Sequence, residues 1–213
     1  MKDFENSHLW QLNTDVCSLL IDDSAESSIR EFIACIDKSP KVLFVNGSPG
    51  AGKSHIAAWM SRRILEVVPD QKIGVETAAI PEFEDADQFS LIVLDDLERL
   101  VADPAESTGL TRLISQCLER RISLILVSDV NPIAVESASL ELVQMAKASS
   151  KIALSNLSNE NKLRLVQVLL NGAETPNISD SKKIISLNSL REIEAFVHRS
   201  EILKSLNENA SLV

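Results

Sequence analysis

The sequence predicts an α/β fold: a parallel sheet flanked by helices, followed by a small C-terminal all-helical lid. Three observations carry this expectation. Residues 47–54 read Gly-Ser-Pro-Gly-Ala-Gly-Lys-Ser, a full match to G-x-x-x-x-G-K-[ST], set between a strand-like run and a helical pattern. Short apolar runs then alternate with helical patterns as far as about residue 155. From Asn156 onward the strand signals stop. The expected division is an α/β core over residues 1–155 and a helical lid over residues 156–213.

Taken in order, Lys41-Val42-Leu43-Phe44-Val45-Asn46 is the apolar, β-branched kind of run that forms a buried parallel strand. After the glycine-rich loop, Ile56, Met60, Ile64 and Val67 recur at helical spacing. Lys72-Ile73-Gly74-Val75-Glu76 reads as a strand, and so does Leu91-Ile92-Val93-Leu94. Leu110, Leu113, Ile114, Cys117 and Leu118 mark a helix before the strand Ile122-Ser123-Leu124-Ile125-Leu126-Val127. Lys151-Ile152-Ala153-Leu154 is the last strand. Alternation of this kind puts helices on both faces of the sheet and ligands at the carboxyl ends of its strands. In the lid, Ser158 can cap a helix carrying Leu163, Val166, Leu169 and Leu170, closed by Asn171-Gly172. A polar, proline-containing stretch runs on through Asp180. Ser189-Leu190-Arg191-Glu192 then forms a capping box for a helix carrying Leu190, Ile193, Val197 and Leu203, with a frayed tail expected after Leu206.

The chain has 213 residues, 45% of them hydrophobic, enough for one sizeable core and an appendage. No signal-peptide pattern opens it and no apolar run is long enough to cross a bilayer, so a cytoplasmic protein with no membrane partner is expected. Cys17, Cys35 and Cys117 fit no metal spacing and read as free thiols in a reducing compartment. Net charge is −10 and unevenly spread: ten acids face one base, Arg99, between Glu76 and Glu106. From Lys147 to Lys204 nine Lys/Arg stand against six Asp/Glu. That is no concentrated basic face, so direct grip on duplex DNA is not expected.

The chemistry gathers at the strand ends. Gly47, Gly50 and Gly52 let the backbone turn tightly enough for successive N–H groups to point at one anion. The helix starting near Lys53 adds its positive end to this phosphate cradle. Lys53 can reach terminal phosphates, and the Ser54 hydroxyl can ligate Mg²⁺. Asp95 and Asp96 close an apolar strand; the first suits the metal and the second an attacking water. Ser128 ends another strand and can sense which nucleotide is bound through a hydrogen bond to phosphate or water.

With these residues in place, the chain resembles AAA+ ATPases of the branch that holds the replication initiator DnaA and its regulatory homologue Hda. The resemblance lies in Gly52-Lys53-Ser54-His55, Leu94-Asp95-Asp96, Val127-Ser128-Asp129 with Pro132, the lid entry from Leu154 to Leu163, and Ser189-Leu190-Arg191-Glu192-Ile193-Glu194. It covers roughly residues 10–206. It implies a P-loop AAA+ core binding ATP or ADP with Mg²⁺ through Gly47, Ser48, Pro49, Gly50, Ala51, Gly52, Lys53, Ser54 and His55. It makes Ser54 and Asp95 the metal pair, and Lys53, Asp96, Ser128 and Arg191 the catalytic set, with Arg191 the lid arginine that contacts phosphate.

The departures from the family are as informative. DnaA continues past its lid into a helix-turn-helix DNA-binding domain; this sequence runs only a few residues past the lid helix, so origin binding of that kind is not expected. The segment from Glu76 to Phe89 is short for the helical insertion that initiators use against single-stranded DNA. From Asp129 to Ser150 there is no arginine to reach a neighbouring subunit's site, and Lys147 lacks the planar fork such a role uses. Arg112, Arg120 and Arg121 lie on the preceding helix, where solvated positions are expected. Gln11-Leu12-Asn13-Thr14-Asp15 is a degenerate version of the Hda segment that binds the sliding clamp. The expected function is nucleotide-dependent regulation of replication initiation through a DnaA-type initiator. The alternatives are a slow stand-alone ATPase, a helicase-loader-like protein and a nucleotide-bound adaptor. Useful turnover and self-assembly into a homo-oligomer stay open.

Overall fold

The computed structural model describes residues 2–3, 17, 19–36, 38–77, 79–81, 88–136, 138–170 and 178–199. The strands are β1 (Lys2–Asp3), β2 (Val42–Gly47), β3 (Ile73–Thr77), β4 (Leu91–Asp95), β5 (Ser123–Ser128) and β6 (Ser150–Leu154). The helices are α1 (Asp23–Cys35), α2 (Lys53–Val67), α3 (Glu98–Ala102), α4 (Pro104–Glu119), α5 (Leu140–Ala148), α6 (Asn159–Leu169), α7 (Ile178–Ser186) and α8 (residues 190–199). They build one sheet in the order β1-β3-β4-β5-β2-β6. The five strands expected from the sequence pair parallel throughout. Two-residue β1 adds an antiparallel edge on β3.

Alternation along each strand divides the core in two. Leu43 and Val45 of β2, Val93 of β4, Ile125 and Val127 of β5 and Ile152 of β6 face one cluster, with α1, α2 and the lid. Val42, Phe44, Ile92, Leu94, Leu124 and Leu126 face the other, with α3, α4 and α5. Both faces of the sheet are therefore dry, which is why β4 and β5 read as unbroken apolar runs. Cys17 and Cys117 are buried, and burial pushes the Cys17 thiol up to about 12, away from reactivity.

After β6 every described element is helical. Ser158 caps α6 through Asn161 N–H at 3.1 Å, and Ser189 caps α8 through Glu192 N–H at 3.2 Å. Glu192 reaches back to the Asn188 N–H at 2.7 Å, completing the box one residue earlier than the simplest pattern. One helix was not expected: α7 overlaps the end of the stretch read as a polar connection. It is short and carries few apolar residues, but its Ile184 is fully buried and Lys162 of α6 donates to its Ile185 carbonyl at 2.9 Å. A helix this short depends on tertiary packing for its order. The Asn171-Gly172 stop and the N-terminal Gln11-Leu12 segment lie outside the described residues.

Ile125 sits at 0% exposure at the centre of β5, flanked by β2 and β4. Ile125→Ala is expected to lower unfolding free energy by about 2–5 kcal/mol, read from the urea midpoint at unchanged slope.

Candidate functional site

Strand order makes the crevice. β2 runs into the glycine-rich loop with β5 on one side and β6 on the other, so residues from three strand ends meet there. Gly47 pairs with Leu154, and a Cβ on Gly47 would lie 2.4 Å from the Leu154 carbonyl oxygen. Gly50 has φ +77°, and a Cβ there would lie 2.2 Å from the Ser189 Cβ. The loop thus passes under the lid with no space for a side chain. Leu190 N–H donates to the Gly50 carbonyl at 2.9 Å, and the Ser48 hydroxyl donates to Asn156 Oδ1 at 3.0 Å. The loop is clasped from the lid side at two points.

Lys53 opens α2 and is 7% exposed. Its ammonium donates to the Ser48 carbonyl at 3.0 Å and pairs with the Asp129 carboxylate at the end of β5. A buried ammonium needs such partners because desolvation otherwise outweighs what holds it. Asp95 at the end of β4 accepts from the Asp96 N–H at 2.9 Å, and the Ser54 hydroxyl stands close enough to favour its charged form. Burial holds the Asp95 carboxyl above its ordinary range, against the opposing influence of Ser54 and the Asp96 N–H. A hydroxyl and a carboxylate are hard oxygen donors suited to Mg²⁺, which takes few protein ligands and completes its shell with water and phosphate. Among the described residues no cluster of three His, Cys, Asp or Glu forms a cage of its own. The donor set fits Mg²⁺ held jointly with a nucleotide.

Asp96 turns into the left-handed region at φ +56° and is exposed. The next residue is tied back, Leu97 N–H donating to the Val127 carbonyl at 3.1 Å. Such a conformation in a non-glycine residue is uncommon, and Asp and Asn tolerate it best. Ser128 is 4% exposed beside Asn46 of the loop strand, and its hydroxyl accepts from Val130 N–H at 3.3 Å. Arg191 is exposed on the first turn of α8, next to the Leu190 that touches the loop. Lys147, Arg112, Arg120 and Arg121 are exposed, and Arg121 donates to the Lys38 carbonyl at 2.9 Å.

The structure therefore brings the loop residues, Lys53, Ser54, Asp95 and Ser128 to one end of the sheet, with Asp96 and Arg191 at its rim. Three contacts escaped the sequence reading: Lys53 with Asp129, Ser48 with Asn156, and His55 Nε2 with Glu194 Oε1 at 3.0 Å. Asp129 directly follows Ser128 at a strand end, and Glu194 stands one helical turn past Arg191. Their positions were visible, but their partners depend on tertiary packing.

The fold is similar to that of domain III of the replication initiator DnaA. Domain III of the replication initiation protein DnaA from Thermotoga maritima superposes with TM-score 0.74 at 14% identity, over 92% of each chain. AMPPCP-bound DnaA from Aquifex aeolicus is similar with TM-score 0.66 and 15% identity, over 84% of this chain and 62% of that one. By sequence, an insertion sequence ATP-binding protein of Sinorhizobium fredii is 37% identical over 97 residues. That stretch is 39% of this chain and only 32% of the relative. No family model matches the chain.

Because the Asp95 carboxyl is raised, its ionisation opposes folding, and stability is lost as pH climbs from the ordinary aspartate value through the elevated one. Asp95→Asn is expected to raise the Tm of the nucleotide-free protein at pH 7. That advantage should shrink to nothing at acid pH, where both side chains are neutral; differential scanning calorimetry across pH checks it.

Proposed function

We propose that this protein is an Hda-like regulator of DNA replication initiation, binding ATP or ADP with Mg²⁺ and acting in the cytoplasm on a DnaA-type initiator. The observation that carries the reading is the meeting of three things at one loop. These are the buried Lys53 ammonium, the Ser54–Asp95 pair, and the lid helix whose Leu190 N–H bonds the Gly50 carbonyl. In this reading the amides of Gly47–Gly52 and Lys53 hold the phosphates, with Ser54 and Asp95 the metal pair. The metal would neutralise phosphate charge there. Arg191 and the lid contacts read the occupant and pass it on as a change in lid angle. The division into a core over 1–155 and a lid over 156–213 belongs to this proposal, as does a catalytic role for Asp96 in orienting water and for Ser128 in sensing phosphate. His55 belongs to the binding segment by position, and its ring is turned towards the lid.

The likeness to DnaA domain III, over 92% of both chains, supports an initiator-type partner that meets this chain edge to edge. Between Asp129 and Ser150 the sequence holds no arginine, which favours a chain that accepts a partner's arginine over one that donates its own. The segment shared with the insertion sequence ATP-binding protein supports a second reading, a nucleotide-bound adaptor or helicase-loader-like helper. Co-fractionation separates the two. The proposal expects a complex with the host initiator that differs between ADP and ATP, and binding to a replicative helicase alone would favour the second reading.

Lys53→Ala is expected to weaken ATP binding about ten- to hundredfold by calorimetry, as loss of a charged hydrogen-bond donor does. Asp96→Asn retains the left-handed turn and should leave binding intact while removing whatever turnover the wild type shows.

A further inference from the structure

The contact between His55 and Glu194 has no part in cradling phosphate or holding metal, yet it joins the two helices that flank the loop. His55 lies in the first turn of α2, directly after Ser54. Its Nε2 stands 3.0 Å from Glu194 Oε1 on α8, with both side chains partly exposed. We infer that His55 and Glu194 are a positioning pair that sets the lid helix so that Arg191 faces the phosphate loop. The inference rests on the nucleotide-binding reading of that loop and adds how its lid arginine is aimed.

The argument is geometric. Residues three apart on a helix share a face, so Arg191 and Glu194 lie on one side of α8, one turn apart. The contact with His55 turns that side towards the start of α2, where Lys53 and Ser54 stand. A second contact fixes the helix just before Arg191, where Leu190 N–H meets the Gly50 carbonyl at 2.9 Å. A helix held at one point can still roll about its axis. Held on either side of Arg191, at Leu190 and at Glu194, it cannot. Ile193 at 0% and Val197 at 5% exposure seat α8 in the core, and their packing leaves Arg191 exposed. Apolar packing alone resists a small roll weakly, because it is not directional, whereas a hydrogen bond is.

The test uses the full chain and four variants: Glu194→Ala, Glu194→Gln, Arg191→Ala and the Glu194→Ala/Arg191→Ala double. Glu194→Ala is expected to weaken ATP binding about three- to tenfold, the worth of one lost hydrogen bond. Glu194→Gln keeps an oxygen that accepts from His55 and should bind like wild type. In the Arg191→Ala background, Glu194→Ala should cost nothing more, because the pair acts through that arginine. An equal loss with and without Arg191 overturns the proposal, since the contact would then only tether the lid; so does unchanged binding in Glu194→Ala. Hydrogen exchange without nucleotide gives an independent reading. Glu194→Ala should speed exchange of the amides at Leu190 and Ile193 while Glu194→Gln does not, and unchanged protection overturns the pair. Should the wild type take up no ATP or ADP, the proposed function falls, and exchange still decides whether the pair holds the helix.

Discussion

A single ammonium group, buried at the carboxyl end of an otherwise apolar sheet, sets the conditions for the residues around it. Lys53 is held by one backbone carbonyl and one carboxylate, from Ser48 and Asp129. A cation in that position is tolerated only where anions or oriented dipoles surround it. The loop that supplies the carbonyl must bend sharply, and it bends at Gly50 and Gly52, both at positive φ. The strand that supplies the carboxylate must end beside β2, and the pairing of Asn46 with Ser128 puts it there. Asp129 is therefore the standing counter-ion of Lys53.

The sheet was legible because its strands are buried on both faces. Continuous apolar runs such as Leu91–Leu94 and Leu124–Val127 have few other fates in a chain of this length. The structure shifts the strand limits by a residue: β2 runs on to Gly47, and β4 takes in Asp95. The loop's sharp bend was legible because glycine stands where φ turns positive, at Gly50 and Gly52. Hidden from the sequence were the features that depend on how segments far apart come together. α7 is only nine residues long and gains its order from Ile184 packing into the larger core and from Lys162 across the lid. The partners of Lys53 and His55 lie 76 and 139 residues away, and no local rule links such positions.

The two clusters on either side of the sheet differ in what they connect. The one lined by Val42, Phe44 and Leu126 binds only core helices to the strands. The other gathers Ile29 and Phe32 of α1, Ile56 and Met60 of α2, and Leu165, Ile184 and Ile193 of the lid around one face. Lid and strands thus share a continuous apolar seam, crossed at its edge by polar contacts at Gly50, Ser48 and His55. Polar contacts of this kind fix register, and the seam supplies most of the attraction.

That seam has a thermodynamic consequence. Any displacement of the C-terminal helices would slide Leu165, Ile184 and Ile193 over neighbours that are themselves greasy, wetting or drying hydrocarbon on the way. Water around newly bared hydrocarbon absorbs heat on warming, so two lid postures would differ in heat capacity in proportion to the area exchanged. The balance between them would then drift with temperature even at constant ligand, making the protein's resting posture partly a thermometer of its surroundings.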